Sequence, residues 1–168
     1  HYMNNELKII KLNKSKDKRG YLTKIFDQNI KINNKFNFIV KEHLISLSKK
    51  NVIRGMHYQS SNYAQNKILY VIEGTIIDVI VNIRKKSKNY LKVYDFSLSS
   101  KKNLGIFIPK YYAHGFKVTS NYAVVGYLLD NNYNKKNDKG ILWKSINYNW
   151  KVTNPILSNK DSKLPPVK

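Results

Sequence analysis

Residues 67–83, KILYVIEGTIIDVIVNI, consist of two apolar runs separated by Glu73-Gly74. Both runs are rich in β-branched residues, and the glycine-containing pair between them is typical of a tight turn. The pattern predicts strands over 67–73 and 75–83, with Glu73-Gly74 as the turn between them. In the second strand Asp78 alternates with isoleucines, so the two faces of that strand differ. These two strands favour a β fold for the chain.

Further strands are predicted on both sides of this pair. Turns rich in Gly, Pro and Asn recur about every 8–12 residues, without helical periodicity or internal repeats, as in an all-β sandwich or barrel. The turn at 16–20 and a loop or short helix at 27–37 interrupt this pattern. The final part of the chain is expected to be an irregular wrap with one helical turn, capped by Ser158 or Asn159. The other predicted strands cover 8–12, 21–26, 38–47, 52–58, 90–98, 105–110, 113–119 and 123–129.

Length and composition indicate one domain. The chain has 168 residues, enough to bury a core, and we expect the domain to cover 3–168 because His1-Tyr2 resemble a cloning remnant. No apolar run reaches the length of a membrane span, and no secretory signal is recognised. Cysteine is absent, which excludes disulfides and thiolate zinc sites. We expect a cytoplasmic protein without a membrane partner.

The net charge of +21, from 31 Lys+Arg and 10 Asp+Glu, raises the question of nucleic acid binding. Arginine occurs only at Arg19, Arg54 and Arg84, and the lysines are dispersed among asparagines instead of forming one stripe. Such loops are what an AT-rich genome encodes wherever the fold tolerates them. A small anionic ligand such as a nucleoside diphosphate explains the charge better than nucleic acid does.

Residues 52–67, VIRGMHYQSSNYAQNK, concentrate polar side chains between two predicted strands. A rigid β scaffold usually displays its chemistry in segments of this kind. His57 lies between the cations of Arg54 and Lys67, an electropositive setting in which a proton can be abstracted and the resulting anion stabilised. A surface hairpin with a solvated histidine is the alternative, and spacing alone leaves both open.

Six blocks of the chain form an ordered series that extends from about Asp17 to Asp161. They are VIRGMHYQ (52–59), QNK (65–67), GTIIDVIVNIR (74–84), IPKYYAHGF (108–116), Tyr127 with Tyr133, and LSNKD (157–161). In order and spacing this series resembles the dTDP-4-dehydrorhamnose 3,5-epimerase family. The resemblance implies a cupin-type antiparallel jelly-roll β-barrel that forms a homodimer. It also implies an isomerase that acts, without a cofactor, on a nucleotide-linked 4-keto-6-deoxy sugar for surface polysaccharide synthesis.

The chemistry of such a substrate explains the residue types. A 4-keto group acidifies the C–H bonds at C3 and C5, so removing a proton and returning it on the opposite face inverts the centre. This reaction needs a base, an acid on the other side, and a cation at the oxygen that becomes enolate. By resemblance His57 is the base, Asp161 orients its imidazole, Lys67 faces the enolate, and Tyr127 is the acid.

The resemblance also implies a set of substrate-binding residues. Arg54 or Arg84 is available to phosphate or sugar oxygens. The full set is Arg54, Gln59, His114, Tyr133, Arg19, Lys24, Glu42, Arg84 and Asp78.

Several of these assignments have alternatives that the sequence leaves open. His114 can be a hydrogen-bonded structural histidine, Tyr127 a core residue, and Asp161 a helix cap. Tyr133 competes for the acid role or offers a stacking surface. Asp78 is either a partner of a site residue or a plain barrel-lining carboxylate.

A bound metal is not expected. Many cupins bind a divalent ion through a His-x-His pair, a glutamate and a third histidine. Here the corresponding stretch reads His57-Tyr58-Gln59, and beyond it only His43 and His114 remain once His1 is set aside. These are too few ligands at useful spacing.

The part of the series that would bind the nucleotide departs from the family. Lys24 stands where the family usually has a glutamate, and Glu42-His43-Leu44 replace Gln-x-Asn. Val81-Asn82-Ile83-Arg84 replace a VDIR block. In the family, the residues that correspond to Lys24 and to Glu42-His43-Leu44 lie near the thymine of the substrate. Some of them come from the other chain of the dimer. A carboxylate such as Glu42 can accept hydrogen bonds from a guanine edge, which suggests a GDP-linked 4-keto-6-deoxy-heptose as the substrate.

Three other functions are compatible with the sequence. A 3-epimerase or a 3,4-ketoisomerase of the same fold would use the same residues on the same kind of sugar. A polyanion-binding β-barrel would follow from the charge, but the interleaved aromatic and arginine surface motif that it requires is missing.

Overall fold

The structure is a computed structural model that describes residues 7–27 and 38–167. Within these ranges the chain is almost entirely β-strand. The strands are β1 (Lys8–Lys11), β2 (Asn13–Asp17), β3 (Gly20–Lys24), β4 (Glu42–Lys49), β5 (Ile53–Gln59), β6 (Lys67–Glu73), β7 (Thr75–Asn82), β8 (Val93–Ser99), β9 (Leu104–Ile108), β10 (Tyr112–Val118), β11 (Tyr122–Leu129) and β12 (Asp138–Gly140). None of the helices in this part of the chain has the length and apolar character that a membrane span requires.

The strands form two five-stranded antiparallel sheets and a separate hairpin. The first sheet has the order β1-β9-β6-β11-β4, the second has the order β12-β5-β10-β7-β8, and β2 pairs with β3. Apolar residues from both sheets, such as Leu69, Ile106, Ile80 and Phe116, form one buried cluster between them. The prediction of an all-β antiparallel barrel is confirmed.

β6 and β7 are joined by the turn at Glu73-Gly74 but do not pair, because β6 belongs to the first sheet and β7 to the second. On β7, Ile76 and Ile80 face the cluster between the sheets, whereas Val79 and Val81 pack beneath the C-terminal segment. All four are fully buried, and burying each side chain contributes about 1.5–3 kcal/mol. Both faces of β7 are therefore largely apolar, and Asp78 is a buried carboxylate among them.

The C-terminal segment covers the outer face of the second sheet. Trp150 packs there, and its Nε1–H donates to Trp143 O at 3.0 Å. The segment ends in a short helix, α1 (Asn159–Ser162), whose cap Ser158 accepts a hydrogen bond from Asp161 N at 3.0 Å. The predicted wrap, helical turn and serine cap are confirmed.

Some element bounds differ from the sequence prediction. Residues 13–17 form β2 instead of beginning a turn at 16, and β12 was not predicted. The sequence of β2, NKSKD, is polar throughout because its hairpin projects into solvent, so it lacks the alternation that marks a half-buried strand. The strand expected at 38–47 lies at 42–49. The loop or helix expected at 27–37 falls, except for residue 27, outside the described residues.

Sheet order places the edge strands of both sheets beside one opening. β4 is the edge of the first sheet, and β12 with β5 forms the corresponding edge of the second. A cavity of about 640 Å³ lies there, lined by residues of both sheets. From the opening inward, the first sheet presents β4, β11 and β6, while the second presents β5, β10 and β7.

Candidate active site

Most of the predicted site residues meet in this cavity. Its lining includes the predicted residues Glu42, Arg54, His57, Gln59, Lys67, His114, Tyr127 and Tyr133. The alternation of side chains on each strand explains the convergence, because one face of every strand points between the sheets. His57 and His114 are direct partners across β5 and β10.

His57 is paired with a carboxylate from the end of the chain. His57 Nε2 lies 2.7 Å from Asp161 Oδ1, and Asp161 Oδ2 accepts the backbone N–H of Gly55 at 3.0 Å. Burial alone would raise the pKa of Asp161, but the hydrogen bonds from His57 and Gly55 hold that pKa below its usual value. Because the carboxylate is ionised, Nε2 is the donor, and the lone pair of neutral His57 is on Nδ1. Asp161 therefore faces His57, and the cap of α1 is Ser158 instead of Asp161.

Three glycines permit the close approach of the chains around His57. A Cβ on Gly115 would lie 2.6 Å from Arg54 O and 2.8 Å from Met56 Sδ. Gly140 pairs with His57, and a Cβ there would lie 2.7 Å from the side chain of Leu164. Gly55 has a φ of 116°, a conformation that side-chain-bearing residues rarely adopt.

Tyr127 approaches the cavity from the opposite sheet. Its hydroxyl lies 3.4 Å from Ser46 Oγ on β4, and its ring packs edge-on against His114 with centroids 6.4 Å apart. Burial raises the pKa of the Tyr127 phenol well above its ordinary value. The phenol is thus an O–H donor at neutral pH. Tyr127 also lines the cavity, so it is not a core residue without access to a ligand.

Lys67 is the deepest cation of the cavity. Burial lowers the pKa of its ammonium group to about 8, although the carboxylates of Asp78 and Asp138 act in the opposite direction. The group is cationic at neutral pH but loses its proton far more readily than a surface lysine does. The Lys67 ammonium group therefore lies where an oxygen of a molecule bound between the sheets can contact it.

Behind the cavity, His114 is held by Asp78. His114 Nε2 lies 2.5 Å from Asp78 Oδ1, and the two residues are 5% and 0% exposed. Asp78 Oδ2 is buried and has no hydrogen-bond partner among the described residues. Asp78 is therefore a partner of His114, and His114 is both hydrogen-bonded and part of the cavity wall.

The rim of the cavity carries a network of charged and polar groups. Glu42 Oε1 accepts the backbone N–H of Tyr133 at 2.7 Å, and the Tyr133 hydroxyl donates to Asp138 Oδ2 at 3.1 Å. Lys160 forms an ion pair with the same carboxylate. Asp138 and Lys160 line the cavity, yet neither was predicted. Lys160 sits within the quoted LSNKD block, but Asp138 had no sequence signal.

Arg54 and Gln59 are fixed by neighbouring chain segments. Arg54 Nε donates to Ser48 Oγ at 2.8 Å, and its Nη2 donates to Leu47 O at 3.2 Å. Gln59 Nε2 donates to the carbonyls of Tyr63 and Asn132, each at 3.0 Å. Gln59 thereby anchors the loop that carries Tyr133.

Besides Asp78, which lies behind the cavity, three predicted binding residues lie away from its lining. Arg84 Nη2 donates to Tyr112 Oη at 3.0 Å. Arg19 forms an exposed pair with Asp17 at 2.6 Å, and Lys24 contacts Asp27 at 3.2 Å. Arg19 and Lys24 belong to the β2–β3 hairpin, a separate and mostly exposed two-stranded sheet.

No group of three or more His, Cys, Asp or Glu in residues 7–27 and 38–167 is arranged to hold a metal ion. Independence from metals and cofactors stays a prediction.

The geometry supplies three groups at three sides of one cavity. His57, with its orienting carboxylate, lies on the second sheet, and Tyr127 lies on the first. Lys67 extends from a more interior strand of the first sheet. Such an arrangement can remove a proton from one face of a bound molecule and return one to the other.

Known proteins match this chain in sequence and in structure. The model of the dTDP-4-dehydrorhamnose 3,5-epimerase family matches residues 4–168. A dTDP-4-dehydrorhamnose 3,5-epimerase from Shigella flexneri is 41% identical over 150 residues, covering 86% of this chain and 82% of the relative. One from Salmonella typhimurium is 35% identical over 155 residues, covering 89% of this chain and 84% of the relative.

A solved structure extends the match to the fold. The dTDP-4-dehydrorhamnose 3,5-epimerase from Bacillus anthracis, solved with TDP and PPi bound, superposes with a TM-score of 0.92 at 32% identity. The alignment covers 99% of this chain and 97% of that chain. The expected cupin-type jelly roll and the resemblance stated from the motifs are both confirmed. The chain belongs to the dTDP-4-dehydrorhamnose 3,5-epimerase family of isomerases.

Proposed function

We propose that this protein inverts C3 and C5 of a nucleotide-linked 4-keto-6-deoxy sugar through an enolate. The observation that carries the proposal is the position of His57 and Tyr127 on opposing sheets of one cavity, with Lys67 beside them. An inversion requires a base and an acid on opposite faces of the reacting carbon, and these two side chains provide them.

His57 begins each inversion. Its Nδ1 accepts the proton from C3 or C5, while Nε2–H stays bonded to Asp161. The ionised carboxylate stabilises the imidazolium that forms and prevents the ring from rotating. The electron pair of the broken C–H bond moves into the C–C bond next to the ketone, and negative charge collects on the C4 oxygen.

Lys67 stabilises that oxygen. The Lys67 ammonium provides a positive charge in a site from which water is partly excluded, where electrostatic stabilisation is strongest. His114, whose Nε2 lies 2.5 Å from Asp78 Oδ1, forms the cavity wall and limits where the sugar can lie. Tyr127 then gives its proton to the opposite face of the carbon.

Residues at the rim of the cavity would bind the nucleotide part of the substrate. Arg54 and Lys160 line the cavity as cations suited to diphosphate oxygens. The names of the relatives favour a dTDP sugar for this chain. Glu42, whose Oε1 is bonded to Tyr133, is the residue that would favour guanine, so a GDP-linked heptose is the competing substrate. A role in surface polysaccharide synthesis and a cytoplasmic location stay predictions.

A homodimer would complete the site. The projecting hairpin exposes Tyr21 and Leu22 by 64% and 73%, and the edge strand β4 exposes Ile45 and Leu47 by 61% and 63%. Exposed apolar residues on a hairpin and on an unpaired edge favour pairing between two copies. Arg19, carried on the hairpin, would then reach the partner's cavity.

Replacement of Tyr127 by Phe tests the two-sided reaction. The variant should still exchange the C3 and C5 protons with deuterated buffer, because His57 and Lys67 are intact, but it should return deuterium with retained configuration. NMR of the products, with dTDP- and GDP-linked 4-keto sugars offered in parallel, measures exchange, inversion and nucleotide preference together. Tyr148→Phe, which loses only the 3.0 Å contact with Asp95, is the matched control.

Three outcomes would contradict the proposal. Inversion by Tyr127→Phe at a rate near that of the wild type would move the acid role to Tyr133 or water. Exchange confined to C3 would identify a 3-epimerase, and a 3-keto product would identify a ketoisomerase.

A further inference from the structure

Ser46 is a hydrogen-bond partner of the Tyr127 hydroxyl, with 3.4 Å between the two oxygens. Ser46 lies on β4, the edge strand beside the cavity opening, and Tyr127 lies one strand further in, on β11. Ser46 pairs with Val125, two residues from Tyr127, which makes Ser46 and Tyr127 diagonal neighbours on the same face. Ser46 also lines the cavity and is partly exposed.

The other neighbours of the phenol cannot supply protons in the same way. Phe116, whose ring centroid lies 6.5 Å from that of Tyr127, has no exchangeable proton. His114 presents its ring edge-on and is bonded through Nε2 to Asp78. Arg54 and Asp78 act on the phenol through their charges, and Arg54 Nε is already bonded to Ser48. Ser46 alone in this group combines a contact with the hydroxyl and a position toward the opening.

If a bound sugar is inverted at two centres before release, His57 and Tyr127 must return to their starting protonation states while the sugar is still bound. After the first inversion His57 has gained a proton and Tyr127 has lost one. A second inversion on the same bound sugar requires both groups to be reset, yet the sugar itself covers the side of Tyr127 that faces the cavity. The replacement proton must therefore reach the phenolate from a side that the sugar leaves open.

We propose that Ser46 returns the proton to Tyr127 and thereby sets how often a bound sugar is inverted twice before release. This inference rests on the proposed function. The Ser46 hydroxyl gives its proton to the phenolate oxygen while a water molecule at the opening gives a proton to Ser46 Oγ. The hydroxide left behind is neutralised by the proton that His57 releases to solvent. Ser46 acts through Tyr127 and is a positioning residue for this step.

Ser46→Ala and Ser46→Thr test the inference. Loss of the hydroxyl should raise the share of singly inverted sugar among early products by about 10-fold, because the reset becomes slower than release. The threonine variant keeps a hydroxyl and should behave like the wild type. Raising the concentration of a small buffer such as imidazole, at constant pH and ionic strength, should increase kcat of Ser46→Ala but not of the wild type.

Ser48→Ala is the matched control on the same strand. Ser48 faces the same side and holds Arg54 at 2.8 Å, so its loss should raise KM without making kcat depend on buffer. A merely structural role for Ser46 would give the same result as this control.

The outcomes separate this inference from the function on which it rests. If Tyr127→Phe abolishes inversion while Ser46→Ala keeps the wild-type product ratio and shows no response to buffer, the relay through Ser46 is wrong and the acid role stands. If Tyr127→Phe still inverts, the proposed acid is wrong. If the wild type inverts only one centre, the product ratio cannot test the relay through Ser46, and the response of kcat to buffer does so instead. An increase of kcat with buffer in Ser46→Ala supports the relay, and no increase contradicts it.

Discussion

At the scale of single residues, the site is built from pairs in which one group fixes another. Asp161 fixes His57, Asp78 fixes His114, and Ser48 fixes Arg54. The sequence motifs singled out the histidine or arginine of each pair as a candidate site residue. The sequence could not identify which histidine nitrogen is free or that Asp138 joins the rim, because both depend on contacts between residues far apart in the chain.

Removal of the base is the first prediction at this scale. His57→Asn should lower deuterium exchange at both C3 and C5 by roughly 10²–10⁴-fold, because no other cavity residue can accept the proton as readily. Asp161→Asn should also lower exchange, since the amide cannot stabilise the imidazolium. NMR in deuterated buffer measures both.

His43→Asn is the control for this experiment. His43 Nε2 lies 2.8 Å from Tyr70 Oη and is not part of the cavity lining. Its replacement should leave exchange unchanged. Retention of more than about a tenth of the wild-type exchange by His57→Asn would mean that another group is the base.

The second prediction concerns pH. Lys67 must be charged to stabilise the enolate, and its pKa is lowered from 10.5 to about 8. Activity should therefore fall as pH rises through about 8, more than two units below the point at which an ordinary lysine would lose its charge. The pH profile of kcat/KM measures this limb.

Lys67→Arg provides the comparison. A guanidinium stays protonated throughout the accessible range, so any activity that remains should lack the alkaline limb near pH 8. The same limb in both enzymes would assign it to another group.

At the scale of elements, the close contact between β5, β10 and β12 positions His57. The bounds of β6 and β7 were predicted well, because both strands are apolar and meet at Glu73-Gly74. β12 could not be predicted, because Asp138–Gly140 is three residues long and its sequence, DKG, resembles a turn. Short strands of this kind form because the partner strand is already in place.

Gly115→Ala tests whether this packing holds the base in position. The added Cβ would lie 2.6 Å from Arg54 O, so β5 must move, at a cost of about 1–3 kcal/mol of stability. Because His57 is on β5, proton exchange should fall as well. Urea unfolding and deuterium exchange measure the two effects.

Gly105→Ala is the matched variant in the first sheet. Its Cβ would lie 3.1 Å from Leu69 O, a milder contact that does not involve β5. It should cost less stability and preserve exchange. Equal loss of exchange in both variants would show that the contact of Gly115 with β5 does not determine the position of His57.

At the scale of the whole molecule, the proposed dimer makes each cavity dependent on two chains. The overall barrel was predictable from the spacing of turns, whereas the association of chains depends on exposed surfaces that only the structure displays. Arg19 is 90% exposed in its side chain and pairs only with Asp17 among the contacts found in the described chain, which suits a role in a neighbouring cavity.

Mixing two inactive variants tests this arrangement. Arg19→Ala and His57→Asn should each be poorly active alone. After unfolding and refolding together, half of the dimers should contain both chains, and each of these should have one cavity free of both substitutions. Recovery of about a quarter of the wild-type activity is expected for a two-fold dimer. No recovery, or a monomer in sedimentation, would contradict the shared cavity.

The bond between His57 and Asp161 joins residues that are 104 positions apart. At synthesis rates of about 5–20 residues per second, the imidazole leaves the ribosome roughly 5–20 s before its carboxylate does. All strands of both sheets precede Asp161 in the chain, so a barrel can form while its base is still unoriented. We expect a chain that ends shortly before α1 to form the strands of both sheets but to lack the carboxylate that orients His57. Premature termination at that point should therefore lower proton exchange at least as much as Asp161→Asn does.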